Sequence, residues 1–288
     1  MNNTNPPKSK RPWYQFSLRT MLVLLIACAV FLGWRVYRAR KNRERVDAVT
    51  VALAEIEKLG GDVRSEYKAY RSVTWLEALF DDPGSADDPV GAVEVSRVRF
   101  WGVSVTDADL QWLGGLTSLG WLNLDGTEIT DAGLERLRGL KNLKTLSLRS
   151  TNVTDDGLRN LSAMTKLKRL MLDKTDVTSA GMRHLRELKN LNWLNLRWTG
   201  IEDDGLQHLT GLTNLKMLNL ENTNITDAGL MHLKRLTNLE ALVLKHARHE
   251  RLKKLANLPP SKMNVTDEGV EGLQRALPNC KVYYGEGR

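Results

Sequence analysis

The sequence has 288 residues, of which 42% are apolar and 26% are charged, with only two Cys. Leu alone accounts for 48 residues. This composition excludes a disordered polymer, a collagen-like fibre and a small secreted domain held together by disulfides.

The net charge of +8 is concentrated at the N-terminus. Residues 1–45 carry ten Lys/Arg and one acid, whereas the remaining chain carries 32 Lys/Arg and 33 Asp/Glu. A domain that binds nucleic acid needs a basic surface of its own. Because the part of the chain after residue 45 is close to neutral, we expect no nucleic-acid partner.

A basic tail, residues 1–17, leads into an uncharged apolar run that Arg19 and Arg35 flank. The run has 15 residues, fewer than the roughly 20 of a usual membrane-spanning helix, but arginines can snorkel and aromatic residues lie at both ends. We predict a single transmembrane helix over residues 18–37. A cleaved signal peptide and a lipoprotein signal ending before Cys28 are the alternatives. Both flanks are basic, so the sequence leaves open on which side of the membrane the rest of the chain lies.

Residues 38–92 are predicted to form a juxtamembrane helix and a cap. Apolar residues recur at helical spacing up to Gly60-Gly61, which is a typical helix end. A strand over 62–70, a short helix over 72–80 and an acidic loop over 81–91 are predicted to follow. A cap is expected here because the open end of a repeat array exposes apolar surface and strand edges.

From residue 93 onward the sequence repeats with a period of 24 residues. The unit reads L-x-x-L-x-L-x-x-T-x-[IV]-[TE]-[DS]-x-G-[LM]-x-x-L-x-x-L. Its first half has the two-residue apolar period of a strand, and its second half has the three-residue spacing of a helix. Thr130 is a predicted helix N-cap, and Asp131 places a negative charge on the first helical turn. Gly133 recurs in each unit, which we attribute to close approach of helix and sheet.

This unit resembles the leucine-rich repeat, whose periods run from 20 to 29 residues. The half Thr-x-[IV]-Thr-Asp-x-Gly-Leu is similar to the cysteine-containing subclass found in F-box partner proteins, with Thr in place of its Cys or Asn. The lead Phe16-Ser17-Leu18-Arg19-Thr20 also resembles a class of bacterial membrane-anchored repeat proteins. The resemblance implies an α/β solenoid over residues 93–288, with parallel strands on its concave face and helices on its convex face.

The register extends to both ends of the array. It places Val98 and Phe100 on a first strand. It also places Leu242 and Leu244 on a seventh strand, and Cys280 and Val282 on a last one. Cys280 is then a buried core residue, and we expect no disulfide.

The repeat breaks once. Asn264 arrives 40 residues after its counterpart Asn224, so we predict an irregular insertion over residues 246–263. The insertion is basic and is a candidate second contact site, although its charges also suit a solvated surface.

One column of side chains on the predicted concave face alternates in charge. Neighbouring strands lie about 4.8 Å apart, so each charge lies beside opposite charges. We predict an ion-pair ladder that supports the sheet register, or alternatively a polar strip that faces a ligand. The column consists of Asp125, Arg149, Asp173, Arg197, Glu221 and Lys245.

A second group of side chains on the same face is our candidate partner-binding patch. Trp, Met and Arg are enriched at protein interfaces and among the residues that dominate binding energy. Covering of neighbouring apolar surface is the alternative explanation. The candidate residues are Trp121, Arg169, Met171, Trp193, Trp198 and Met217.

The sequence carries no recognisable catalytic motif and indicates no cofactor. His184, His208 and His232 share the 24-residue period, but neighbouring helices pack 8–10 Å apart, too far for one metal ion to join them. We therefore predict a membrane-anchored, non-catalytic protein that binds an unidentified protein through its concave sheet. A structural, self-associating envelope protein and a substrate-recruiting subunit of an enzyme complex are the alternatives, and the oligomeric state stays open.

Overall fold

A computed structural model describes residues 18–67, 93–100, 104–246 and 263–286. The chain divides into two units, Met1–Asp47 and Ala48–Arg288. The predicted short helix over 72–80, the acidic loop over 81–91 and most of the irregular insertion lie outside the described residues.

The first element is a helix, α1, over Leu18–Lys58. It ends at the predicted glycine pair, because Gly60 adopts a left-handed φ of 75°. The Gly60 N–H donates to the Glu57 carbonyl and the Gly61 N–H donates to the Ile56 carbonyl, at 2.9 and 2.8 Å. These two bonds form a Schellman motif, so the predicted helix end is confirmed.

The predicted transmembrane segment, residues 18–37, forms the first part of α1. Among the helices in the described part of the chain, none combines the length and the apolar character that crossing a bilayer requires.

A single sheet of nine strands runs through the second unit in sequence order. The first strand is antiparallel to the second, and every later pair is parallel. The strands are β1 Asp62–Tyr67, β2 Val93–Arg99, β3 Trp121–Asn123, β4 Thr145–Ser147, β5 Arg169–Met171, β6 Trp193–Asn195, β7 Met217–Asn219, β8 Ala241–His246 and β9 Lys281–Glu286.

The predicted register is confirmed from β2 to β8. Val98 pairs with Leu122, Leu122 pairs with Leu146, and the 24-residue step continues to Leu242. These leucines and their counterparts two residues later are fully buried. At the N-terminal end, Ala52 and Ile56 of α1 belong to the same apolar core, and β1 supplies the edge strand.

The last strand departs from the predicted register. Val282 pairs with Leu242, whereas the sequence analysis placed Cys280 there. Cys280 is buried, as predicted, but it precedes β9. The offset between β8 and β9 is therefore 40 residues, the same as between Asn224 and Asn264, because the irregular insertion lengthens one unit.

Opposite the sheet, each unit carries one or two short helical turns. The α-helices are Asp131–Arg136, Asp155–Leu158, Asp203–Leu206, Asp227–Leu233 and Asp267–Ala276. The 3₁₀-helices are Asp109–Gly115, Leu137–Gly139, Arg159–Leu161, Ser179–Leu185 and Gln207–Leu209. The predicted N-cap is confirmed, because the Thr130 hydroxyl accepts a hydrogen bond from the Ala132 N–H at 3.3 Å.

The aspartate at the start of each helix binds the threonine of the next unit. In the first case, Asp107 Oδ1 accepts the Thr130 N–H at 2.9 Å and Asp107 Oδ2 accepts the Thr130 hydroxyl at 2.6 Å. We call this arrangement the Asp–Thr clasp. It recurs at Asp131–Thr154, Asp155–Thr178, Asp203–Thr226 and Asp227–Thr266.

Two variations show what the clasp requires. Where the sequence has Ser179 instead of Asp, its hydroxyl accepts the Glu202 N–H at 2.9 Å, so one of the two bonds is kept. The pair Asp227–Thr266 spans 39 residues of sequence, so the clasp re-forms after the irregular insertion. The unit that follows the insertion is thereby returned to the register of the array.

The clasp also explains the recurring glycine. A Cβ at Gly229 would collide with Oδ1 of Asp203, and a Cβ at Gly157 would collide with Oδ1 of Asp131. The expectation that helix and sheet approach closely at this position is therefore wrong. The space is taken by the carboxylate of the preceding unit.

We expect Asp203→Ala to lower the free energy of unfolding by about 2 kcal/mol, because hydrogen bonds to a charged acceptor are each worth about 1.5–3 kcal/mol. Asp204→Ala is the matched control. Asp204 is exposed, lies on the same first helical turn and makes no clasp. Urea denaturation of both variants measures the difference, and equal losses would contradict a stabilising role for the clasp.

Candidate functional site

The side chains that alternate with the core leucines form the solvent side of the parallel sheet, which we call the sheet face. Strand pairing aligns them into columns that cross the sheet. The first column is Arg97, Trp121, Thr145, Arg169, Trp193, Met217, Ala241 and Lys281. The second is Arg99, Asn123, Ser147, Met171, Asn195, Asn219, Val243 and Tyr283.

Four of the predicted partner-binding residues lie together on β5, β6 and β7. Arg169 pairs with Trp193, Trp193 pairs with Met217, and Met171 is two residues along the strand from Arg169. Trp193 is 37% exposed, and the Arg169 Cζ lies 5.2 Å from the centroid of its ring. This is a cation–π contact between adjacent strands. We call Arg169, Met171, Trp193 and Met217 the Trp193 patch.

The other two predicted patch residues lie elsewhere. Trp121 is half-buried in the first column, separated from Arg169 by Thr145. Trp198 lies in the turn after β6 and is only 8% exposed. The prediction that Trp198 belongs to an exposed patch is wrong, because its side chain is buried.

The turn after each strand requires an unusual backbone conformation. Its second residue has a left-handed φ in five successive units, with values between 54° and 69°. Left-handed conformations suit Gly and are tolerated by Asn, but cost other residues about 1–2 kcal/mol. The five residues are Gly126, Ser150, Lys174, Trp198 and Asn222.

The predicted charged column lies mostly in these turns rather than on the strands. Two of its steps are ion pairs: Arg149 Nε lies 3.0 Å from Asp173 Oδ2, and Arg197 Nη2 lies 3.0 Å from Glu221 Oε1. Asp125 instead accepts the backbone N–H of Arg149 at 3.0 Å. Lys245 is half-buried on β8. The six residues thus form two ion pairs with flanking charges.

Asparagines of the second column hold this charged column in place, a role that the sequence analysis missed. Asn123, Asn195 and Asn219 each accept, through Oδ1, the backbone N–H of the charged residue two positions later, at 2.9–3.1 Å. The recurring pattern of Asn followed after one residue by a charged residue was the available signal.

Asp173 is the most buried carboxylate of the sheet face. It accepts a hydrogen bond from Asn195 Nδ2 at 3.0 Å and forms the ion pair with Arg149. Burial raises the pKa of Asp173, while Arg149 opposes that effect and lowers it. The carboxylate therefore links two strands through its partners.

The helical side carries the periodic histidines. Burial lowers the pKa of His184 and of His208, and neighbouring arginines lower it further. Arg183 Nε donates to His184 at 3.2 Å, and Arg186 contacts His208. Among the described residues, no group of His, Cys, Asp and Glu has a geometry that could hold a metal ion.

Burial raises the pKa of the Cys280 thiol to about 11, so this thiol is protonated at neutral pH.

Comparison with known proteins agrees with this architecture. Residues 139–162, 181–209 and 211–234 match the family model described as Leucine Rich repeat. The fold is a leucine-rich-repeat-like α/β solenoid with parallel strands. No curated protein matches the chain.

Two crystal structures of internalins from Listeria monocytogenes are similar to the chain. Internalin C2 is 23% identical with a TM-score of 0.48, and the match covers 66% of this chain and 81% of that one. A second internalin is 23% identical with a TM-score of 0.42, and the match covers 65% of this chain and 58% of that one.

The left-handed turn position yields a stability test. We expect Lys174→Asn to raise the free energy of unfolding by about 0.5–1 kcal/mol, because Asn relieves backbone strain that Lys bears. Trp198→Asn relieves the same strain but removes a buried aromatic side chain, so we expect a net loss of about 2 kcal/mol. Thermal melts of both variants measure the shifts. Destabilisation by Lys174→Asn would show that its side chain makes a compensating contact.

Proposed function

We propose that this chain is a non-catalytic protein-binding module whose sheet face holds an unidentified protein partner. The observation that carries the proposal is the Trp193 patch. Trp193 is exposed on a regular sheet, where Thr145 and Ala241, two strands away in the same column, show that smaller side chains fit equally well.

The patch has the chemistry of a binding hot spot. Trp and Arg are the residue types whose truncation most often costs binding energy, and Met provides adaptable apolar contact. Packing within the chain does not require these side chains, since the core consists of the leucines on the opposite side of the sheet. Contact with an external partner would explain why a large aromatic side chain is exposed at this position.

The side chains of the Trp193 patch are also ordered before a partner binds. Leu191, two residues before Trp193, and Leu194, directly after it, are fully buried, and the Arg169 guanidinium lies over the Trp193 ring. Side chains that are already ordered lose less conformational entropy when a partner binds. The geometry therefore favours a preformed surface over one that rearranges.

We expect a photo-crosslinking residue in place of Thr145 to form adducts with the partner in cells, because this position lies within the first column. The same residue in place of Met231, which is exposed on the helical side, is the control for random encounters. Equal adducts from both positions would contradict the proposal. Adducts with other copies of this chain alone would favour the self-associating alternative.

Binding of the captured partner should weaken by about 2 kcal/mol in Trp193→Ala, a loss typical of a central Trp at an interface. Met231→Ala, which also removes an exposed apolar side chain, should change the affinity little. Calorimetric titration measures both, and equal affinities for Trp193→Ala and the unaltered protein would contradict a role for the patch.

Membrane attachment through residues 18–37 is a separate proposal. It is supported by the uncharged run between Arg19 and Arg35 and by the exposed apolar side chains of Ile26 and Val30 on α1. The full chain should pellet with membranes, and Ile26→Asp with Val30→Asp should release it, because charges in a bilayer are costly. Val51→Asp, at an exposed position of the same helix, is the control. A chain that stays in the supernatant would contradict the anchor.

A further inference from the structure

The near-neutral repeat array separates its charges by position within the unit. From each core leucine at the strand end to the helix start, in residues 124–134, 148–158, 172–182, 196–206 and 220–230, there are twelve Asp/Glu and three Lys/Arg. The other half of each unit, residues 135–147, 159–171, 183–195, 207–219 and 231–243, has three Asp/Glu and fourteen Lys/Arg.

In the parallel sheet this periodicity produces two sides of opposite charge. We call the side beside the strand ends the acidic edge and the side beside the strand starts the basic edge. All strands from β2 to β9 run in one direction, so every strand end lies along one edge and every strand start lies along the other. The acids therefore collect beside the strand ends, and the bases collect beside the strand starts.

The acidic edge is explained by contacts within the chain. Eight of its twelve carboxylates accept a hydrogen bond or form an ion pair, including those of the Asp–Thr clasps. Acids also suit this edge because the short helices begin there. The fold itself thus accounts for these residues.

The bases are explained only in part: several lie in the last helical turns, which favour cations, and Lys166 Nζ donates to Asn142 Oδ1 at 2.7 Å. Among the described residues, only Arg138, Arg159 and Lys216 of its fourteen bases form ion pairs with a carboxylate. Lys144 and Lys168 are stacked in successive units, because the Lys168 N–H donates to the Lys144 carbonyl at 2.8 Å. Like charges on adjacent units repel each other, so the two ammonium groups do not stabilise the fold electrostatically. We define the basic edge by Lys141, Lys144, Lys166, Lys168, Arg169 and Lys189.

We propose that the basic edge binds an acidic segment of the protein partner, next to the Trp193 patch. This inference rests on the proposed function, because Arg169 belongs to both surfaces. The carboxylates of an acidic segment neutralise the positive charges of Lys144 and Lys168. An apolar side chain of the partner, next to that segment, packs on Trp193. Electrostatic complementarity of this kind sets the orientation and the association rate of a complex.

A polypeptide fits this surface better than a nucleic acid or an anionic bilayer. Single-stranded nucleic acids stack bases on open aromatic faces, but the Arg169 guanidinium already lies over the ring of Trp193. A flat bilayer that meets the row of lysines would leave Trp193 and Met217 uncovered on the sheet face. A polypeptide can follow the edge and turn onto the sheet.

The test uses the full chain and a fluorescein-labelled peptide of about twelve residues in which Glu and Leu recur among Gly and Ser, long enough to cross several strands. We expect binding that weakens with salt and is lost when Gln replaces Glu in the peptide. Lys144→Gln with Lys168→Gln should weaken binding about fivefold. Lys174→Gln with Lys245→Gln removes the same charge at the opposite edge and should change binding less than twofold.

Several outcomes would overturn the inference. Equal weakening by both double variants would show that peptide binding depends on the net charge of the chain and not on the basic edge. Tighter binding of oligothymidylate, or of phosphatidylserine–phosphatidylcholine vesicles, than of the peptide would replace the acidic polypeptide with that ligand. Unfolding of the Lys144→Gln and Lys168→Gln variant is checked by its melt, which we expect to be unchanged.

The inference and the proposed function fail in different ways. If the captured partner loses affinity in Trp193→Ala but binds the Lys144→Gln and Lys168→Gln variant normally, the sheet-face function stands and the acidic-segment inference is wrong. If position 145 captures nothing while the peptide still binds through the lysines, the sheet-face function is wrong and the basic edge acts alone.

Discussion

The Asp–Thr clasp is the interaction on which the solenoid depends. Strands of three residues make few hydrogen bonds each, so backbone pairing alone fixes the spacing of the units weakly. The carboxylate of one unit accepts both the N–H and the hydroxyl of the next unit's helix cap. Successive units are therefore joined on the helical side as well as through the sheet. The recurring glycine leaves the space that this carboxylate occupies wherever the clasp forms. The clasp at Asp227–Thr266 restores the register after the irregular insertion.

A regular scaffold of this kind frees the sheet face for variation. The leucines on the inner side and the clasps at the helix starts hold each strand, so side chains on the outer side can differ from unit to unit at little cost to folding. Asparagines and the charged column satisfy part of that surface internally. The Trp193 patch is the region where large side chains remain uncovered, and this contrast makes it the candidate site.

The clasp also has an electrostatic consequence. It places an acid at the same position of nearly every unit, and parallel topology gathers those acids along one edge. Bases at the opposite edge then balance the net charge of the array, and among the described residues only Arg159 pairs with one of these acids, Asp156. A net charge near zero therefore coexists with two oppositely charged sides of the array.

The sequence by itself determined the 24-residue register, the threonine caps and the helix end at Gly60-Gly61, because these depend on residues close together in the chain or repeated at a fixed period. It also named Arg169 and Trp193, although not their contact. Only the tertiary structure decided that Trp198 is buried and that Val282 pairs with Leu242. It also decided that the glycines accommodate a carboxylate. These features depend on which atoms of neighbouring units meet, and a one-dimensional period states how often a residue recurs but not what it faces.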